Sequence, residues 1–129
     1  MTVIPISKKR TNSPNIFNSY NYRVRTPDGT MYIIIMEDHN GKPFKIDAHV
    51  GKAGNAVSQW AQALCGLIDT LWSRGEETGN IVGMLSGFIS SRPVQISDGQ
   101  KIFSGPQGIQ QALIFYLQQQ DEMGFRIGG

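Results

Sequence analysis

A single cysteine, Cys65, rules out an internal disulfide, and two histidines, His39 and His49, are too few for a structural zinc site of the usual kinds. No apolar run approaches the roughly 18 residues needed to span a bilayer. The apolar stretch Met1 to Ile6 is followed by Lys8-Lys9-Arg10, the reverse of the order in a secretory signal, so a cytoplasmic location is expected. Acidic residues are missing through Pro27, where five basic ones fall (Lys8, Lys9, Arg10, Arg23, Arg25). From Gly51 onward five basic and six acidic residues nearly balance. The positive field therefore sits toward the N-terminus, which permits contact with nucleic acid or another polyanion. What remains is ordinary: 129 residues, 40% hydrophobic and 17% charged, suit one globular domain with a single core.

Residues 1–18 read as a flexible basic arm, since Pro5 and Pro14 oppose a helix and polar residues dominate. Residues 19–129 read as a single α+β domain. Tyr20-Asn21-Tyr22-Arg23-Val24-Arg25 alternates with period two and makes a strand with one basic face. Pro27-Asp28-Gly29 is a turn. Met31 to Met36 is apolar throughout and is expected to lie centrally with both faces covered. Asp38-His39-Asn40-Gly41 is a hairpin turn, with Asn-Gly supplying positive backbone angles. Phe44 to Val50 is a third strand that turns Lys45, Asp47 and His49 outward. The first half is thus a three-stranded antiparallel meander.

Helical spacing takes over afterwards. Ala56 to Arg74 makes a long amphipathic helix, with Gly75 suited to its C-terminal cap. Ile81, Val82, Leu85 and Phe88 mark a shorter helix. Residues 89–103 form a loop with a short strand near Val94 to Ile96. Ser104 can cap a last helix that carries Pro106 in its first turn and ends in a fraying Gly124 to Gly129. About three helices then cover one face of a small sheet.

Between the third strand and the first helix lies Gly51-Lys52-Ala53-Gly54-Asn55. Small residues there expose backbone N–H groups at the positive end of a helix dipole, beside one lysine, and so favour an anion such as phosphate or carboxylate. The alternative is a tight turn that needs glycine for its backbone angles.

Three blocks carry a resemblance to a known family: Asn40-Gly41-Lys42-Pro43-Phe44, Gly51-Lys52-Ala53-Gly54, and Ser104-Gly105-Pro106-Gln107-Gly108-Ile109 before a helix. In order and spacing, roughly from Tyr20 to Leu117, they resemble the TSCPD domain. That domain is found near the C-terminus of adenosylcobalamin-dependent (class II) ribonucleotide reductases and as small free-standing proteins. The family tends to carry cysteines shortly after the loop, before a proline and inside its name motif. Here those places hold Asn55 or Ala56, Ser91 or Arg92, and Gly105. A redox or metal role of those cysteines cannot operate, and 129 residues leave no room for the reductase barrel. The resemblance implies shared fold and ancestry in nucleotide metabolism, not reductase activity.

Catalytic constellations are not apparent. Cys65, between Leu64 and Gly66 in an apolar helix, reads as a buried core residue rather than a nucleophile. Asp47 and His49 sit side by side on a strand face, where they make either an acid–base pair or a solvated surface pair. No catalytic residue, metal or cofactor is expected. Binding has more support. Arg23 and Arg25 form an outward row with Lys45 available on the third strand, Lys52 lies at the loop, and Tyr20, Tyr22 and Tyr32 could stack on bases. If Tyr20 and Tyr22 face the core instead, the arginines simply keep an edge soluble. Trp60 and Trp72 project about 120° apart on the helix, so one is left for a helix or subunit contact. Open strand edges point to a homo-oligomer.

The leading expectation is a non-catalytic module that binds phosphate-bearing ligands, nucleic acid or nucleotide, through Gly51, Lys52, Gly54, Asn55, Arg23, Arg25 and Lys45. The alternative is a protein-interaction factor or inhibitor that docks on a ribonucleotide reductase or host protein, of the kind a phage or other mobile element could encode. A membrane partner is not expected.

Overall fold

Period-two alternation builds the sheet. A computed structural model describes residues 3–9, 18–27, 29–50, 55–87, 94–95, 101–102 and 105–128. Strands β1 (Val3–Lys9), β2 (Asn18–Thr26), β3 (Gly29–Glu37) and β4 (Pro43–Val50) form one antiparallel sheet in the order β1-β2-β3-β4. Strands β2 to β4 are the meander that the alternation predicts. Of the arm expected over residues 1–18, residues 3–9 form strand β1, and residues 10–17 lie outside the described residues. The β1 backbone pairs Val3 with Val24 and Lys9 with Ser19, with a register shift between Pro5 and Ser7. An edge strand with an irregularity is where proline is tolerated, so Pro5 breaks a helix there without preventing a strand.

The β3–β4 turn is tied by Asp38. Its Oδ1 accepts from the amides of Asn40 at 2.8 Å and Lys42 at 3.0 Å. Its own amide donates to the Lys42 carbonyl at 2.8 Å. Only Gly41 takes a positive φ here, +76°, and Asn40 does not. The turn needs one glycine rather than an Asn-Gly pair.

Helices α1 (Asn55–Ser73), α2 (Thr78–Ser86) and α3 (Gly105–Gly128) follow, with a two-stranded ribbon of β5 (Val94–Gln95) and β6 (Lys101–Ile102) between the last two. The C-terminus of α1 is closed by a Schellman motif: Gly75, at φ +87°, donates to the Trp72 carbonyl, and Glu76 donates to that of Leu71. The backbone of α3 continues through Gly124, where fraying was expected; one helical glycine costs only about 1 kcal/mol and need not end a helix.

The inner sheet face carries Tyr20, Tyr22 and Val24, then Met31, Ile33 and Ile35, then Ile46 and Val50. They pack on Cys65, Ile68, Trp72, Ile81, Leu85, Ile109, Leu113 and Tyr116 of the helices. Each aliphatic side chain buried in full contributes about 1.5–3 kcal/mol. The two tryptophans diverge as their spacing requires. Trp72 is buried and its Nε1–H donates to Thr78 Oγ1 at 3.1 Å, while Trp60 lies against Gly105 of α3.

Helix α1 also covers the outer edge of β4. The Ile46 amide donates to Asp69 Oδ1 at 2.8 Å, and the Ala48 amide donates to the Cys65 sulfur. Four helical residues rise about 6 Å and two strand residues about 6.6 Å, so side chains at i and i+4 meet alternate edge amides. This leaves fewer unpaired groups for edge-to-edge association.

The outer face of β3 corrects the expectation of a strand covered on both sides. Tyr32 is exposed, and Ile34 and Met36 are half-buried. An apolar run cannot by itself distinguish a second packed layer from partial shielding by long neighbours. Here Ile34 is flanked by Asn21 and Asp47, and Met36 by Ser19 and Lys45.

Candidate functional site

Directly paired residues of an antiparallel sheet share a face. The outer face can therefore be read row by row. Arg23, Tyr32 and His49 form one row across β2, β3 and β4. Asn21, Ile34 and Asp47 form the next, and Ser19, Met36 and Lys45 the one beyond. Arg25 pairs with Thr30 on the other side of the first row. Strands lie about 4.8 Å apart, so the Arg23 and His49 backbones flank Tyr32 across a span of about 10 Å. Tyr32 is 43% exposed, and Arg23, Arg25 and His49 are exposed as well. Among the described residues no salt bridge engages Arg23.

The expected binding residues separate into three groups. Arg23 and Arg25 stand together on the outer face as their alternation predicts. Lys45 shares that face but lies about four residues, or about 13 Å, along the sheet from the Arg23 row. Its ammonium sits 3.7 Å from Asp69 Oδ2. Gly51, Lys52 and Gly54 lie outside the described residues, and Asn55 is the first residue of α1. Of the three tyrosines, only Tyr32 is presented to solvent. Tyr20 packs edge-on against Tyr116 with ring centroids 5.0 Å apart, and the buried Tyr22 hydroxyl donates to Gln119 Oε1.

Asp47 and His49 are both exposed on the outer face, and neither lines a described cavity. Burial, then the charges of Asp69 and Asp47, push the Cys65 thiol up to about 12, so it is a poor source of thiolate. No group of three or more His, Cys, Asp and Glu among the described residues could hold a metal ion.

One polar cluster was not foreseen. Glu37, only 4% exposed, accepts from the Tyr116 hydroxyl at 2.6 Å and from Gln120 Nε2 at 3.1 Å. Burial and the Glu37 carboxylate push the Tyr116 hydroxyl far up. Strand parity places Glu37 inward, after Met31, Ile33 and Ile35. Its partners lie some 80 residues away and leave no local signal. Beside it a cleft of about 530 Å³ is lined by Lys42, Trp72, Glu76, Glu77, Thr78 and Gln120, with charges of both signs. A separate groove of about 300 Å³ between α1 and α2 is apolar, with Leu67 and Met84 exposed at its mouth.

Comparison with known proteins agrees with the blocks read from the sequence. No curated protein and no solved structure matches the chain. The family profile of the TSCPD domain matches residues 8–117, from within β1 into α3. The match takes in the Asn40–Phe44 turn, the Gly51–Gly54 loop and the Ser104–Ile109 segment, and it covers most of the chain: this chain belongs to the TSCPD domain family.

Proposed function

We propose that this TSCPD domain is a non-catalytic module that binds phosphate-bearing ligands, nucleic acid or nucleotide. The observation that carries the reading is the pair Arg23 and Arg25, exposed side by side on the sheet face that no described helix covers. Guanidinium groups hold phosphate oxygens through paired N–H donors, and two on one face give a salt-sensitive affinity. The family's association with ribonucleotide reductases makes nucleotides a natural ligand class. The buried, high-pKa thiol of Cys65 offers no competing nucleophilic chemistry.

Titration of the whole chain with labelled oligonucleotides and nucleoside triphosphates at low salt tests this. Binding that weakens as salt rises, and weakens again in Arg23→Ala with Arg25→Ala, supports it. No binding to any of these at low salt, or binding that both substitutions leave intact, removes it.

A second reading, docking on a ribonucleotide reductase or on a host protein, is favoured by the apolar groove between α1 and α2. Leu67→Asp should abolish such docking and leave phosphate binding unchanged. A pull-down after nuclease treatment separates the two readings.

A further inference from the structure

We infer that the sheet face presenting Arg23, Arg25 and Tyr32 takes single-stranded nucleic acid, with one unpaired base stacked on Tyr32 and the phosphates running along β2. This deepens the phosphate-binding reading and rests on it.

Tyr32 supplies the first argument. It is the one aromatic residue of the inner strand β3, 43% exposed on a face no described helix covers. Base–aromatic stacking tolerates any base, because every base has a π-face. Ile34 follows on the same face of the same strand and is half-buried, so the apolar surface continues one position further.

Charge fixes the path. Among the described residues, the cations of this end of the face stand on β2, Arg23 beside Tyr32 and Arg25 one position along. Their backbones are about 7 Å apart, comparable with one nucleotide step of an extended strand. On the opposite flank Asp47 stands beside Ile34 and repels phosphate. A strand crossing this face therefore lays its backbone over β2 and its bases over β3.

Shape selects the ligand class. A free nucleotide draws its affinity from an enclosing pocket. Neither the 530 Å³ cleft nor the 300 Å³ groove is lined by a residue of this face. An open sheet face gains affinity from successive contacts along a polymer. A duplex keeps its base faces stacked inside and offers Tyr32 none.

The test is fluorescence anisotropy on the full chain at low salt, with an oligothymidylate of about a dozen nucleotides, a duplex of equal length and thymidine monophosphate. The oligothymidylate is expected to bind at least about tenfold more tightly than the duplex, and far more tightly than the monophosphate. Tyr32→Leu should weaken oligothymidylate binding by about tenfold or more, and Tyr32→Phe should retain it, because only stacking needs the ring. Circular dichroism of both variants verifies their fold. Duplex binding equal to single-strand binding, or an unaffected Tyr32→Leu, overturns this inference while leaving the arginine reading in place. Absence of binding to all three probes removes both. Sedimentation showing a dimer that Tyr32→Asp converts to monomer also overturns it, because the face would then be covered by a second copy.

Discussion

Trp60 of α1 lies against Gly105, the first residue of α3, so closely that a methyl group at Gly105 would overlap the six-membered part of the indole. The two residues share one space, and each makes sense of the other. The indole fills the room that a side chain at Gly105 would take. Gly105→Ala should therefore cost about 1–3 kcal/mol by overpacking. In a chain that already carries Trp60→Leu, the same substitution should cost much less. Urea unfolding of the four members of this cycle measures the coupling. Additive costs would mean that the indole moves aside freely.

The edge contact of α1 with β4 predicts a pH dependence. Burial holds the Asp69 carboxyl above its ordinary value of 3.8, and Asp47 adds to this, against the pull of the Ile46 amide and Lys45. A folded-state pKa above the unfolded one means that the folded chain binds the proton more tightly. The stability gained from that proton is full at low pH and is lost as pH rises through the folded value. Asp69→Asn stays neutral throughout. The stability of wild type minus that of Asp69→Asn should thus fall as pH rises from about 3.8 toward neutrality. Urea unfolding of both chains across that range checks the sign. A difference that grows with pH would show the amide and Lys45 outweighing burial.

Cys65 offers a chemical readout of the same contact. Its thiol is pushed up to about 12 from an ordinary 9.0, first by burial. At pH 8 the folded chain then holds roughly a thousandfold less thiolate than the unfolded one. Iodoacetamide should modify the native chain slower than the urea-unfolded chain by at least that factor. Comparable rates would mean that α1 lifts readily from β4.

What could be read in the sequence was local. Alternation sets Arg23 and Arg25 on one outward row and Gly75 marks the end of α1, because each signal spans only a few residues. Alternation leaves open whether Tyr20 and Tyr22 stack on a ligand or face the core, and the structure buries both. Strand β1 was hidden because Pro5 speaks against a regular element and only pairing with β2 reveals an edge strand. The row Arg23, Tyr32, His49 depends on the register of three strands, which no short window contains. The salt bridge of Lys45 reaches Asp69 on α1, so strand parity grouped it with Arg23 and Arg25 although it stands at the other end of the face.

Glu37 extends the inward series of β3 with a carboxylate, whose burial is tolerable because Tyr116 and Gln120 donate to it. Tyr116→Phe removes the shorter of these bonds and leaves the carboxylate buried at the same place. That should cost about 1–3 kcal/mol in urea unfolding. Tyr32→Phe removes an exposed hydroxyl and should change stability by no more than about 0.5 kcal/mol. Equal effects from the two substitutions would mean that the Glu37 cluster contributes nothing beyond a surface hydroxyl.

Arg23 and Lys45 carry the same formal charge on the same sheet face, and their surroundings set them apart. Lys45 is paired with Asp69, 3.7 Å away, and stands about 13 Å from the Arg23 row, further than the roughly 8–10 Å over which salt near physiological strength screens exposed charges. Arg23 faces no such partner among the described salt bridges, and each phosphate it holds releases counterions into the medium. Arg23→Ala should therefore lower the slope of log affinity against log salt by about one for an oligonucleotide. Lys45→Ala should leave that slope nearly unchanged. Anisotropy titrations at several salt concentrations separate the two. A loss of slope in Lys45→Ala equal to that in Arg23→Ala would place the nucleic acid across the whole face instead of along the end that holds Arg23, Arg25 and Tyr32.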